Sequence, residues 1–306
     1  ILMTDDMETE TPEGEKRSLA IKTWASALAK RLHRPLKLIH VEDLTLYPVS
    51  QPYYRRFIQT CVAERKSRLN KIGRSLTVPS NTALLAGYPA QKLVELTSKK
   101  GSYELIVLGS HGRKGAKRLI LGSVTEEVIR NSLIPVFTLG PAALESRPTF
   151  RKGAAIRILV ATDLTENGKS AEEYAMSLAK QLSGEVILFH SLLGGFHPTF
   201  QTAFSAGDVS KEYWDLIQQI RPKIIQEMSL KEDKYRQNRI PCENRIDTTS
   251  VTASAAILKG IKKQKPDLVI MGTHGRNLLA GAFFGNSARQ IILNSPVPVI
   301  TVRSRV

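Results

Sequence analysis

A glycine-rich segment is the part of this sequence best suited to chemistry. It begins at Gly109-Ser110-His111-Gly112, continues for nine residues and ends at Gly122-Ser123. The apolar residues 105–108 directly before it are typical of a buried parallel strand. Glycine lets a backbone approach a ligand closely, and the N–H groups at a helix start favour an anion. The spacing therefore predicts a phosphate-binding turn between a strand and a helix.

The same arrangement occurs a second time. Gly272-Thr273-His274-Gly275 follows the apolar residues 268–271, and after nine residues the chain reads Gly285-Asn286-Ser287. Each half also has an earlier apolar run that ends in Thr-Asp, at Thr4-Asp5 and at Thr162-Asp163. Two such copies indicate an internally duplicated protein that handles a nucleotide.

The remaining elements of the two halves repeat as alternating strands and helices. Apolar residues at helical spacing form one stripe in each half, at Ile21, Ala25, Leu28 and Leu32 and at Ala171, Ala175, Leu178 and Leu182. A second strand is predicted at 36–41 and at 186–191, with His40 and His190 in matching places. This alternation predicts a parallel sheet with helices on both faces.

The length of 306 residues is enough for two domains of roughly 150 residues each. We predict domains at 1–140 and 154–306, joined by a linker at 141–153. An acidic insertion around 7–15 and a longer segment around 192–207 are predicted to be exposed loops.

The net charge of +16 would attract polyanions such as nucleotides, nucleic acid or acidic membrane surfaces. A nucleic-acid groove is disfavoured because the basic residues are scattered and aromatic residues make up only 6% of the chain. No apolar run approaches the ~18 residues of a membrane span, so no membrane association is expected. The two cysteines, Cys61 and Cys242, form no disulfide framework and no metal motif, which makes the cytoplasm the expected location.

The sequence resembles the universal stress protein family in its tandem two-domain form. The resemblance rests on the pattern G-x2-G-x9-G-[S/T] at Gly109 to Ser123, the strand-terminal Thr-Asp pairs, the turn Gly87-Tyr88-Pro89-Ala90 and the closing Pro-Val strands. It implies an α/β protein of two flavodoxin- or Rossmann-like domains, each a five-stranded parallel sheet in the order 3-2-1-4-5 flanked by helices. It also implies binding of ATP or a related adenine nucleotide, with or without Mg²⁺, at the carboxyl edge of the sheet.

The resemblance assigns nucleotide-binding roles to residues of the first half. The glycines and Ser123 would cradle the phosphates, Thr4 and Asp5 would lie against the nucleoside, and Val41 would pack near the adenine. A helix-start hydroxyl and the neighbouring N–H suit a phosphate oxygen, and an aspartate suits a ribose hydroxyl or the adenine amino group. The full predicted set is Thr4, Asp5, Val41, Gly109, His111, Gly112, Arg113, Gly122, Ser123 and Val124.

Two readings of these residues stay open. Asp5 is also well placed to cap a turn or a helix. Basic residues in the nine-residue spacer could screen phosphate charge or form plain solvated surface; they are Arg113, Lys114, Lys117 and Arg118.

The second half departs from the family pattern. Asn286 replaces the serine or threonine after the third glycine, Ser191 stands where Val41 would contact adenine, and the turn at 250–253 lacks the glycine and proline. We therefore expect the second half to bind nucleotide weakly or not at all. The candidate residues of this weaker site are Thr162, Asp163, Gly272, Gly275, Gly285, Asn286 and Ser287.

No catalytic residue and no metal site is predicted. His111 and His274 occupy the same place in the two motifs, but neither has a Ser, Asp or Cys partner at a recognisable spacing. Enzymatic turnover is therefore unsupported, with slow ATP hydrolysis or autophosphorylation left open.

The leading functional prediction is a stress-related regulatory protein whose conformation or assembly responds to an adenine nucleotide. The alternatives are a scaffold of the same fold without ligand binding and a basic polyanion binder. The resemblance also implies that the two domains pair through their last strands, at 136–139 and 299–302, and it leaves a homodimer open.

Overall fold

The computed structural model describes residues 1–7, 11–43, 52–98, 101–110, 120–148, 155–195, 211–273 and 285–304. The chain divides into two compact units, residues 1–148 and 149–306. Each unit contains one copy of the glycine-rich motif.

Strands and helices alternate along the first unit. Its strands are all parallel and lie in the order β3-β2-β1-β4-β5, as the resemblance implies. The elements are β1 (Leu2–Thr4), α1 (Pro12–Leu32), β2 (Leu36–Glu42), α2 (Pro52–Arg74), β3 (Ser80–Ala86), α3 (Pro89–Ser98), β4 (Ile106–Gly109), α4 (Ser123–Asn131) and β5 (Val136–Leu139).

The strand order of the first unit reverses between β1 and β4. Thr4 on β1 lies opposite Ile39 on β2, and Met3 lies opposite Val107 on β4. The carboxyl ends of these three strands therefore meet at one edge. In open parallel sheets, ligands bind in the crevice outside this edge at such a reversal.

Helix α1 begins at Pro12, inside the segment 7–15 that was predicted to be an acidic loop. Pro12 to Glu15 form its first turn, and the Thr11 hydroxyl accepts a hydrogen bond from the backbone N–H of Gly14 at 3.1 Å. Proline at the first helical position and acidic residues in the first turn both favour a helix start. The predicted loop is therefore wrong for residues 12–15, and residues 8–10 lie outside the described part.

The first unit continues beyond residue 140, into the segment that the sequence placed in a linker at 141–153. Ala143 in a short 3-10 turn is fully buried. The Trp24 indole donates to the Ser146 hydroxyl at 3.1 Å, and Lys16 pairs with Glu145 at 2.6 Å. These contacts tie residues 141–148 to helix α1, and the first unit accordingly ends at 148.

The second unit repeats the arrangement. Its parallel strands lie in the order β8-β7-β6-β9-β10, again 3-2-1-4-5. The elements are β6 (Arg157–Thr162), α5 (Glu166–Leu182), β7 (Glu185–Ser191), α6 (Lys211–Gln237), β8 (Cys242–Asp247), α7 (Ala253–Gln264), β9 (Leu268–Gly272), α8 (Asn286–Asn294) and β10 (Val299–Val302).

The segment predicted as an exposed loop at 192–207 begins inside the second unit. Leu192 and Leu193 are buried, and a 3-10 turn follows at Leu193–Gly195. A Cβ atom at Gly194 would lie 2.5 Å from the Ala253 nitrogen, so only glycine allows this close approach to α7. The loop prediction is wrong for these first residues, and 196–207 lie outside the described part.

The duplication extends to matching hydrogen bonds before the last strand of each unit. The Ser132 hydroxyl donates to the Ile134 carbonyl at 2.8 Å, and the Ser295 hydroxyl donates to the Val297 carbonyl at 2.6 Å. The repeated Asn-Ser-x-x-Pro-Val segments thus form the same turn in both units.

Among the residues described, no helix has the length and apolar content needed to cross a membrane.

Candidate functional site

The end of β4 and the start of α4 are held together by hydrogen bonds. The Gly122 N–H donates to the Ser110 carbonyl at 2.8 Å, and the Thr125 hydroxyl donates to the Gly109 carbonyl at 2.8 Å. The Ser110 N–H in turn donates to the Leu139 carbonyl at the end of β5. The first residues of α4 therefore lie directly at the carboxyl end of β4.

Helix α4 begins without a side-chain cap. Gly122 occupies the N-cap in an extended conformation, and the first helical bond runs from the Glu126 N–H to the Gly122 carbonyl. The N–H groups of the first turn have no acceptor within the helix, and glycine has no side chain to supply one. Ser123 is exposed and Val124 half-buried at this end. Such a helix start is well suited to an anion.

Asp5 holds the turn that leaves β1. It is 3% exposed, and its Oδ1 accepts from the Met7 N–H at 2.7 Å while its Oδ2 accepts from the Ser18 hydroxyl at 2.5 Å. These contacts match the alternative in which Asp5 caps a turn. Each carboxylate oxygen has two lone pairs, so they leave capacity for a ligand hydroxyl. Its contact with a nucleoside stays a prediction.

The end of β2 presents Val41 on one face and two polar side chains on the other, as strand alternation requires. Val41 is half-buried, whereas His40 and Glu42 are buried. The His40 Nδ1 atom lies 2.7 Å from the Asp5 carbonyl oxygen, and the Arg65 Nε atom of α2 lies 2.7 Å from a Glu42 carboxylate oxygen. His40 therefore joins β2 to the turn after β1.

The predicted turn before α3 lies beside these strands. Gly87 has φ +132°, which L side chains rarely adopt, and its N–H donates to the Glu42 carbonyl at 3.0 Å. The neighbouring Tyr88 is exposed, and the negative charge of Glu127 on α4 raises the pKa of its phenol, with smaller contributions from burial and from Asp43. The starts of α3 and α4 are therefore close to the end of β2.

Arg17 on α1 is a cation near this site that the sequence reasoning did not find. A Cβ atom at Gly109 would lie 3.0 Å from the Arg17 Cδ atom and 3.2 Å from the Ile21 Cδ1 atom. The Arg17 side chain therefore packs against Gly109 at the end of β4, and its Nη2 atom pairs with the Asp6 carboxylate at 2.5 Å. The helix-start signal at Thr11-Pro12 could have placed Arg17 on α1, but its contact with Gly109 has no sequence signal.

Three of the predicted residues, His111, Gly112 and Arg113, lie outside the described part of the chain, as do the spacer cations at 114, 117 and 118. The structure brings together the remaining seven at the carboxyl edge of β1, β2 and β4. In the second unit, His274 and Gly275 also lie outside the described ranges.

The second unit has the same junction with different side chains. The Gly285 N–H donates to the Thr273 carbonyl at 3.3 Å, and α8 begins at Asn286. Ala288 stands where the first unit has Thr125, so this position has no hydroxyl to reach the strand end. The two candidate sites therefore differ in how firmly the helix is joined to the strand.

The side chains after β6 are engaged within the second unit. Thr162 donates from its hydroxyl to Glu172 at 2.5 Å, and the second carboxylate oxygen of Glu172 pairs with Lys231 at 2.7 Å. Asp163 accepts from both the N–H and the hydroxyl of Thr165. Beside them, a 140 Å³ pocket between α5 and α6 is lined by charged side chains of both signs, including Glu172 and Lys231. These bonds make Thr162 less available to a nucleoside than Thr4.

No group of three or more His, Cys, Asp or Glu side chains that could hold a metal ion occurs within the described ranges. At nucleotide sites Mg²⁺ is often bound by substrate phosphates, water and one or two carboxylates. Its presence stays a prediction.

Comparison with known proteins places the chain in a family. The model of the universal stress protein family matches residues 13–139 and again 156–303. This chain belongs to the universal stress protein family. The double match supports the tandem form, because each copy falls within one of the two compact units.

Curated relatives of this universal stress protein cover one half or both. A universal stress protein of Methanocaldococcus jannaschii is 38% identical over 132 residues, which cover 42% of this chain and 77% of the relative. A universal stress protein of Mycobacterium tuberculosis strain H37Rv is 24% identical over 309 residues, which cover 95% of both chains. The second relative therefore shares the tandem arrangement over nearly its full length.

A solved structure supports the fold. The crystal structure of a universal stress protein from Archaeoglobus fulgidus matches this chain with a TM-score of 0.67 and 20% identity, covering 99% of this chain and 98% of that chain. At this identity the likeness concerns the fold alone.

Proposed function

We propose that this universal stress protein binds ATP or a related adenine nucleotide, chiefly in its first unit, and that binding changes its conformation or assembly. The observation that carries the proposal is the glycine-capped start of α4, held at the end of β4 by the Gly122–Ser110 hydrogen bond. This helix start lies where the strand order reverses, the position at which open α/β sheets bind ligands. Family membership supports a role in stress responses.

In this proposal the phosphates lie against the start of α4. The N–H groups of Ser123 and Val124 and the Ser123 hydroxyl donate to phosphate oxygens. The nucleoside lies over the ends of β1 and β2, in contact with Thr4 and Val41. Asp5 shapes the turn beside the ribose through its bonds to Met7 and Ser18 and accepts from a ligand hydroxyl with a remaining lone pair.

The two units are proposed to be inequivalent. In the second unit, Ala288 cannot replace the Thr125 hydroxyl, and the Thr162 hydroxyl is bonded to Glu172. A less firmly held helix start and a committed threonine both lower the free energy that a nucleotide gains on binding. We therefore expect about one nucleotide per chain at moderate ligand concentrations.

The test is a calorimetric titration of the full chain with ATP in the presence of Mg²⁺. Loss of binding in a Gly109→Asp variant would be ambiguous, since any Cβ atom at this position would contact the Arg17 side chain. Ser123→Pro is a sharper probe because it removes one N–H and one hydroxyl. Gly122 already has the extended ψ of 141° that a following proline requires, and proline is tolerated in the first helical turn.

The matched control is Asn286→Pro, since Gly285 has the corresponding ψ of 134°. We expect Ser123→Pro to weaken ATP binding about tenfold or more, and Asn286→Pro to leave it unchanged. Equal losses from both variants would contradict the inequivalence of the units. No binding by the folded wild-type chain would contradict the proposal and favour a scaffold or a polyanion binder, which a steep salt dependence of binding would separate.

Cytoplasmic location remains an expectation from the cysteine content, and pairing of the two domains through their last strands remains a prediction of the resemblance, which leaves a homodimer open. Size-exclusion chromatography with and without ATP would test whether assembly depends on the ligand. An elution volume that ATP does not change, with binding established by calorimetry, would limit the response to conformation.

A further inference from the structure

The pair Arg17–Asp6 brings two opposite charges to the edge of the candidate site. Arg17 is 8% exposed although it is charged, and its aliphatic stem packs across Gly109 at the end of β4. Its Nη2 atom lies 2.5 Å from the carboxylate of Asp6. Asp6 directly follows the turn residue Asp5 in the sequence. Buried arginines need such a partner, because an unpaired buried charge is costly.

The chemistry of this pair fits a phosphate better than it fits a neutral ligand group. A guanidinium is planar and permanently charged, and it can bond carboxylate and phosphate oxygens in the same two-pronged geometry. A phosphate bound at the start of α4 would therefore compete with Asp6 for Arg17. Asp6 would in that case act as an internal anion that a ligand must displace.

The second unit has no arginine at the position that matches Arg17. Counting back from the matched residues Leu28 and Leu178, Arg17 corresponds to Asn167, which has no charge. Within the first unit, Lys16 precedes Arg17 on α1 but pairs with Glu145 and is half-exposed. An arginine at this helix position is therefore specific to the first unit, and the neighbouring Lys16 has a different partner.

We propose that Arg17 is a specificity-determining residue that exchanges the Asp6 carboxylate for a phosphate group of the nucleotide. The inference rests on the nucleotide binding proposed above and adds to it the ligand class: the first unit selects adenine nucleotides by their phosphate charge. ATP and ADP displace Asp6, whereas adenosine gains nothing from Arg17. Asp6 sets the threshold of phosphate charge that a ligand must exceed.

The experiment measures the affinities of ATP, ADP, AMP and adenosine for the full chain by calorimetry. Arg17→Met is expected to weaken ATP binding about tenfold or more while leaving adenosine unchanged, because it removes one charge-assisted phosphate contact. Lys16→Met is the matched control, since it removes the same charge from the neighbouring residue. Asp6→Asn is expected to strengthen ATP binding severalfold by removing the competing anion.

The outcomes separate the two proposals. If the wild type binds ATP but Arg17→Met changes the ATP-to-adenosine ratio no more than Lys16→Met does, the role of Arg17 is overturned and nucleotide binding stands. If the wild type binds no adenine ligand, both fall. Should Arg17→Met fail to fold, Asp6→Asn decides: unchanged or weaker ATP binding by that folded variant contradicts the exchange.

Discussion

The backbone N–H of Gly122 donates to the carbonyl oxygen of Ser110 at 2.8 Å, which closes the glycine-rich loop onto the strand before it. The Thr125 hydroxyl adds a second bond of 2.8 Å, to the Gly109 carbonyl. Together they hold the start of α4 at the carboxyl end of β4. A helix start that is held before the ligand arrives costs less free energy to order on binding.

The Thr125 hydroxyl is predicted to stabilise the first unit. Thr125→Val keeps the side-chain shape but leaves the Gly109 carbonyl without this donor, and we expect the free energy of unfolding to fall by ~1 kcal/mol. Urea unfolding is measured by fluorescence in a Trp214→Phe background, where Trp24 reports on the first unit alone. Thr23→Val is the control and should change stability less, because the Thr23 hydroxyl donates to the Leu19 carbonyl within α1.

Asp5 is predicted to stabilise the fold as well as to line the site. Asp5→Asn replaces one acceptor oxygen by an amide donor, so the Met7 N–H or the Ser18 hydroxyl loses its acceptor, and the remaining bonds lose the charge of the carboxylate. We expect the free energy of unfolding of the first unit to fall by ~2 kcal/mol, and Ser18→Ala to cost about half as much. The Trp24 fluorescence assay measures both. Unchanged stability together with lost ATP binding would instead make Asp5 chiefly a ligand contact.

The alternation of strands and helices and the duplication could be predicted because they depend on local patterns, whereas the strand order came from the family resemblance. Strands buried on both faces read as apolar runs such as 105–108 and 268–271, and the matching words on either side identify the repeat. The helix start at Pro12 was also encoded locally, by Thr11 and the acidic first turn. The prediction failed there because acidic residues with a glycine and a proline are equally typical of a loop.

The contacts between distant parts of the chain could not be predicted in the same way. Arg17 meets Gly109, and Trp24 meets Ser146, only after the sheet has formed. Nothing in the residue types at 141–148 distinguishes a linker from a segment that packs on α1. The availability of Thr162 likewise depends on Glu172 and Lys231, which lie on two different helices.

Glu172 is predicted to stabilise the second unit through both of its carboxylate oxygens. Glu172→Gln removes the charge that pairs with Lys231 and leaves that half-buried ammonium without its partner. We expect the free energy of unfolding to fall by about 1–3 kcal/mol, less than for a fully buried pair because Lys231 reaches solvent. The exposed pair Lys169–Glu166 supplies the control, since Glu166→Gln should change stability by less than ~0.5 kcal/mol.

The opening of the second unit can be measured at Cys242. In a Cys61→Ser background the only remaining thiol is the buried one on β8, so its rate of labelling follows the opening of this unit. Glu172→Gln should accelerate labelling and Glu166→Gln should not. Equal rates in both variants would show that the Glu172 interactions contribute nothing to stability.

Alkaline pH is predicted to destabilise the second unit through ionisation of Cys242 on unfolding. Burial raises the pKa of the Cys242 thiol from 9.0 to about 12, with the charge of Glu232 adding to the effect, and burial also raises the pKa of Tyr235. The folded unit keeps the Cys242 proton, whereas the unfolded chain releases it near pH 9. The contribution of Cys242 to the free energy of unfolding is therefore fully present below about pH 9 and is lost as the pH rises towards 12. The loss is at most ~1.4 kcal/mol per pH unit for this thiol.

The measurement is the unfolding midpoint of the second unit between pH 8 and pH 11 in the wild type, Cys242→Ala and Cys61→Ala. Cys242→Ala should show a shallower alkaline decline, because no thiol remains to ionise on unfolding. Cys61→Ala should follow the wild type, since Cys61 is half-exposed on α2 of the other unit. Parallel declines in all three chains would show that Cys242 does not determine the alkaline sensitivity of this unit.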